Sequence, residues 1–187
     1  ARAGVTPNMV TVAGTVATVA IALICIPQGW IWQGGIALAV VMFGDSVDGT
    51  LARMTTGGTR FGAFLDSTLD RLGDGAVFGS LTAYAVFHMD NSSVRTWTII
   101  AGICSIVGAA AVPYARARAE SVGVVAKLGI AERTDRLIIG MGTAMLMSLG
   151  LPEWVFACGL TWVAFASFVT VCQRIWFTAR HIDEGAQ

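Results

Sequence analysis

Five aspartates, at positions 45, 48, 66, 70 and 74, crowd into the stretch from Gly44 to Gly75. Asp45 and Asp48 are three residues apart, and Asp66, Asp70 and Asp74 follow at intervals of four, so on helices each set shares one face. Carboxylates gathered in one pocket repel, and several would be forced to take up protons. Hard divalent cations relieve that repulsion. An all-oxygen donor set with neither His nor Cys beside it suits Mg2+, Mn2+ or Ca2+ rather than zinc. Glycines accompany the acids: Gly49 follows Asp48, and Gly62 lies four residues before Asp66. Glycine inside a helix costs about 1 kcal/mol relative to alanine, so something is expected to approach the backbone closely there. Ala52 continues the small face, and Arg53 adds a fixed positive charge suited to phosphate. Cations, small residues and an arginine together describe a site for a diphosphate.

The elements that must carry these residues belong to a membrane protein. Of 187 residues, 55% are hydrophobic and 13% charged, with a mean hydropathy of +0.70, against about 25% charged in soluble domains. No charge lies within 3–44, 96–115 or 154–173, and each gap can supply a span of about 20 apolar residues. Turn signals cut the chain into six helices, expected over 7–26, 30–54, 60–89, 94–121, 132–150 and 153–179. The resulting expectation is an all-α integral membrane protein, a single domain over residues 1–187 with six transmembrane helices. An even number puts both termini on one side. If that side is the cytoplasm, eleven of the twelve basic residues lie there and only Arg95 outside, as the positive-inside rule demands. All five acids then meet near the cytoplasmic face. Lipid is not what they face, because a carboxylate at a helix centre costs roughly 2.5–3.5 kcal/mol on the mildest scale.

A second stretch, Tyr114-Ala-Arg-Ala-Arg-Ala-Glu120, is followed by Glu132-Arg-Thr-Asp-Arg136 and by Gln173-Arg174. The same topology brings Arg116, Arg118, Arg133, Arg136 and Arg174 towards the acidic end. Any one of them also fits an anchor that snorkels to the headgroups. Their number favours a site for a phosphate held by bidentate hydrogen bonds, and hence an acceptor alcohol with a phosphate of its own.

The spacing Asp45-x2-Asp48-Gly49-x2-Ala52-Arg53-x8-Gly62-x3-Asp66-x3-Asp70 resembles the complete signature of the CDP-alcohol phosphotransferase family. Thr6-Pro7-Asn8 with Thr11 is similar to that family's start, so the resemblance covers nearly the whole chain. It implies transfer of a phosphatidyl group from CDP-diacylglycerol to an alcohol with release of CMP, by a homodimer in the plasma membrane whose active site faces the cytoplasm. It further implies that Asp45, Asp48, Asp66 and Asp70 hold two Mg2+ ions, with Mn2+ as a substitute. Asn8, Asp48, Gly49, Ala52, Arg53 and Gly62 would bind CDP-diacylglycerol, and Asp70 would take the proton of the attacking alcohol. Asp74 lies outside the signature and is expected to matter less. The basic segments resemble those of the actinobacterial phosphatidylinositol phosphate synthases, which implies inositol phosphate as acceptor. Arg116 stands where that pattern has lysine, and glycerol phosphate, the acceptor of a phosphatidylglycerophosphate synthase, is the rival.

A divalent-cation transporter is the alternative from another class, since intramembrane carboxylates also line transport paths. Clustering at one depth argues against it, because transport needs access from both sides. Zero net charge gives no footprint for a nucleic-acid partner. Cys25, Cys104, Cys158 and Cys172 sit singly and read as packing thiols. His88 and His181 read as interfacial, Trp30, Trp32, Trp97 and Trp154 as an outer aromatic belt, and Gly58-x3-Gly62 and Gly75-x3-Gly79 as candidate helix contacts. Nothing near the start is expected to act as a cleavable signal peptide.

Overall fold

The computed structural model describes residues 6–56, 59–130 and 132–182; for Phe43 and residues 45–56 the description covers the backbone alone. Among the described residues six helices run in order: α1 (Pro7–Cys25), α2 (Ile31–Thr56), α3 (Arg60–His88), α4 (Ser93–Ser121), α5 (Arg133–Ser148) and α6 (Glu153–His181). Among the described residues there is no strand. Each boundary lies within two residues of the expected one, because local chemistry sets it. Thr6 caps α1 by accepting from the amide of Met9, with Pro7 at the first helical position, where its missing N–H costs nothing. Thr59 caps α3 by accepting from the amide of Gly62 at 3.0 Å, and Ser92 caps α4 by accepting from that of Arg95 at 3.1 Å. Between α1 and α2 the chain reverses at Gly29, whose φ of +86° is open to glycine and strained for a side chain.

α1 packs on both α2 and α3, α4 makes its longest seam with α6, and α5 lies on α6 while touching α2 and α3. Phe78, Leu81, Ala85, Phe156 and Leu160 are fully buried at the centre. Small residues let the backbones close up. Gly140 of α5 receives the ring of Phe78, and Ser105 of α4 donates to the Leu160 carbonyl of α6 at 2.9 Å. At Gly108 a Cβ would lie 2.6 Å from Cβ of Ser167, closer than packed carbons approach, so any side chain forces α4 and α6 apart. Gly108→Ala is therefore expected to lower stability by about 1–3 kcal/mol, read as a lower thermal midpoint in detergent, with Ser167→Gly restoring part of it. An unchanged midpoint would mean that the seam yields.

By length and apolarity α1, α4 and α6 can cross a membrane. Among the described residues of α2 the apolar run is Ile31–Met42. α5 has 16 residues, about 24 Å at 1.5 Å per residue, short of a hydrocarbon core of about 30 Å. The six-span expectation is thus met in part: among the described residues six helices form, and three of them carry a spanning composition. At the end away from the acids, the ring of His88 meets the carbonyl of Pro27 at 2.8 Å and stacks on Tyr84. His88 ties α3 to the α1–α2 turn rather than merely lying at an interface. Trp97 Nε1 donates to Thr161 Oγ1 at 2.9 Å, joining α4 to α6.

Candidate active site

The charged end of the bundle gathers the start of α1, the start of α3, the end of α4, the start of α5 and the end of α6. Asn8 and Gly62 meet there: a Cβ on Gly62 would lie 3.1 Å from Asn8 Oδ1 and 3.0 Å from Thr59 Oγ1. The close approach expected at Gly62 is therefore one that α1 itself makes, and a side chain at 62 would displace Asn8.

Asp66, Asp70 and Asp74 follow one face of α3, near enough for the outer two to act electrostatically on Asp70. Their counter-charge comes from α5. Arg133 forks between two carboxylates, with Nη1 on Asp70 Oδ1 at 2.8 Å and Nε donating to Asp74 Oδ1 at 2.8 Å. Arg136 Nη2 stands 3.6 Å from Asp74 Oδ2, an ion pair rather than a hydrogen bond. Asp74 and Arg136 are 2% and 3% exposed, and the charge of Asp74 is balanced at that depth by both arginines. Arg71 reaches Asp70 only at 3.9 Å. α5 is oriented for this by its own start, where the amide of Glu132 donates to Asp135 Oδ2 at 3.2 Å. That closes the first turn and leaves Arg133 and Arg136, three apart, on one face.

The expected sites on α2 are the backbone positions of Asp45, Asp48, Gly49, Ala52 and Arg53, whose side chains lie outside the described residues. Among the described residues no three acidic, histidine or cysteine side chains converge as a metal-holding group. Asp66 and Asp70, one turn apart with oxygen donors only, nevertheless suit the edge of a site for a hard divalent cation.

The arginines divide into two sets rather than one cluster. Arg133 and Arg136 belong to the α3 acids. Arg174 donates through Nε to the Leu128 carbonyl at 3.0 Å and through Nη1 to the Val112 carbonyl at 2.5 Å, tying α6 to α4 and to the loop before α5. It stays within electrostatic reach of Arg116 and Arg136, so Arg136 links the sets. Arg116 pairs with Glu120 at 2.9 Å on the exposed face of α4. Arg118 donates to Ser121 Oγ at 3.2 Å. It opens, with Arg174 and Tyr114, on a groove of about 490 Å³ between α4 and α6. The carboxylates of α3 thus meet the two guanidinium groups of α5, with Arg133 joined to both Asp70 and Asp74.

The partnership of Asp74 with both α5 arginines was not among the sequence expectations, nor was the bracing of two carbonyls by Arg174. Asp74 repeats the interval of four after Asp70, and the two arginines follow a capped helix start. Those were the available signals.

Comparison with known proteins agrees with this arrangement. The family described as CDP-alcohol phosphatidyltransferase matches residues 4–171. The chain is 44% identical over 177 residues to a phosphatidylinositol phosphate synthase of Mycolicibacterium smegmatis, covering 93% of this chain and 78% of the relative. It is 41% identical over 181 residues to that of Cutibacterium acnes, covering 93% and 86%. The crystal structure of the Mycobacterium tuberculosis phosphatidylinositol phosphate synthase with CDP-DAG bound superposes with a TM-score of 0.86 at 37% identity, over 95% of this chain and 88% of that one. The same enzyme in complex with manganese and citrate gives a TM-score of 0.86, over 95% and 84%.

Proposed function

Since the chain belongs to the CDP-alcohol phosphatidyltransferase family, we propose that it transfers the phosphatidyl group of CDP-diacylglycerol to inositol phosphate, yielding phosphatidylinositol phosphate and CMP. The observation that carries the reading is the seam at Asp70, one side facing the acid row of α3 and the other held by Arg133 at 2.8 Å. A base is useful only where the nucleophile can be held beside it. Here Arg133, which would place the acceptor phosphate, touches the carboxylate that would receive the hydroxyl proton.

The roles follow from charge and position. Asp66 and Asp70, with Asp45 and Asp48 of α2, would hold two divalent cations, Mg2+ or Mn2+. When bound, such cations neutralise charge on a diphosphate and fix its geometry. Asn8, Gly49, Ala52, Arg53 and Gly62 would seat the CDP moiety, the small residues allowing close approach and Arg53 offsetting phosphate charge. Asp70 would take the proton as the alcohol oxygen bonds to phosphorus and the bond to CMP breaks. Arg116, Arg118, Arg136 and Arg174 would hold the acceptor phosphate, with Arg133 placing it against Asp70. In this reading all six helices lie in the plasma membrane with both termini and the site towards the cytoplasm, and the protein works as a homodimer.

Purified protein given CDP-diacylglycerol, a divalent cation and a panel of alcohols should release CMP only when cation and phosphorylated acceptor are both present. Undiminished turnover in EDTA would remove the cation from the reaction, and preference for glycerol phosphate would reassign the acceptor.

A further inference from the structure

Of the three acids of α3, Asp74 alone has left solvent, with its side chain 3% exposed. Both its oxygens face α5: Oδ1 accepts from Arg133 Nε at 2.8 Å, and Oδ2 stands 3.6 Å from Arg136 Nη2. The other end of the Arg133 fork rests on Asp70 Oδ1. The order Asp70, Arg133, Asp74, Arg136 therefore alternates in charge and crosses from α3 to α5 at each step. A guanidinium is planar, so fixing one edge fixes the direction of the other. Packing alone does not hold the α5 face here, since Arg133 is itself 37% exposed on its side chain.

We propose that Asp74 is a positioning residue which, by holding Arg133 and Arg136, sets the strength of the Arg133 grip on Asp70 and the placement of the arginines that receive the acceptor phosphate. This deepens the proposed function and rests on it for the acceptor. With Asp74 ionised, two carboxylates balance two guanidinium groups, and the Arg133 charge is shared between Asp70 and Asp74. Without it, the Arg133 charge bears on Asp70 alone. A cation that needs Asp70 would then meet a more positive site and bind more weakly. Arg136 would lose the ion pair that Asp74 gives it.

Asp74→Asn keeps the size and an acceptor oxygen while removing the charge, and Asp74→Glu restores the charge. Three readouts on intact protein in detergent separate positioning from simple bracing. These are the thermal midpoint, Mn2+ affinity by electron paramagnetic resonance, and KM for inositol phosphate against KM for CDP-diacylglycerol. Asp74→Asn is expected to weaken Mn2+ several-fold and to raise the acceptor KM about tenfold, the scale of one charged hydrogen bond. At saturating Mn2+ the KM for CDP-diacylglycerol should stay within about twofold, since the residues that would seat it lie on α1, α2 and α3. Asp74→Glu should recover most of the loss. In an Arg133→Gln background, where the grip is already absent, Asp74→Asn should add little to the Mn2+ effect. Unchanged Mn2+ affinity, or a fall in thermal midpoint with all kinetic constants moving together, would overturn the proposal. If the unaltered protein releases no CMP with inositol phosphate, the acceptor reading fails, while the Mn2+ arm still decides whether Asp74 controls Asp70.

Discussion

Asp70→Asn is expected to abolish nearly all turnover, by about a hundredfold to ten-thousandfold, the range for loss of a positioned proton acceptor. An amide takes no proton from an alcohol and is a poorer cation ligand, so both roles given to Asp70 disappear together. Folding should survive. Arg133 also holds Asp74 at 2.8 Å, so losing Asp70 leaves its guanidinium paired rather than buried alone. CDP-diacylglycerol binding should persist in reduced form, because Asp45, Asp48 and Asp66 remain to hold at least one cation. Single-turnover CMP release, set beside binding of CDP-diacylglycerol, separates the two effects. A variant that keeps more than a tenth of normal turnover would place the proton acceptor elsewhere.

The second large effect concerns the acceptor. Inositol phosphate should be used far better than free inositol, and Arg118→Gln should raise its KM by about tenfold or more, from a lost charged hydrogen bond worth roughly 1.5–3 kcal/mol. Arg118 is the clean test. It is exposed on α4 and bonded only locally to Ser121, so removing it disturbs little of the fold. Arg174→Gln should show the same rise in KM together with a lower thermal midpoint, because it also strips donors from the carbonyls of Val112 and Leu128. A pure anchor would behave differently, changing neither KM. Equal turnover of inositol and inositol phosphate would detach the arginines from the acceptor altogether.

The sequence by itself determined the helices and the end of the bundle at which the acids of α3 gather. Thr6, Thr59 and Ser92 cap helices through bonds to amides three residues on, and Gly29 turns the chain on its own φ. Such interactions are local and can be read from spacing. The acids at 66, 70 and 74 share a face for the same reason, and short turns carry the ends of α4 and α6 and the start of α5 to them. Only the tertiary structure decided which charge meets which. Arg133 and Asp74 are 59 residues apart, and Arg174 and Val112 62 apart. Whether such pairs meet depends on how far each helix is rotated about its axis. That rotation is set by non-local packing, as where Gly140 of α5 receives Phe78 of α3, and where Gly35 of α2 lies against Met145 of α5. Helical periodicity fixes which residues of one helix point the same way, but carries no information on what the neighbouring helix presents to them. Asp74 could therefore be read as a fifth acid of the row, and only the packing of α5 on α3 made it the buried partner of two arginines.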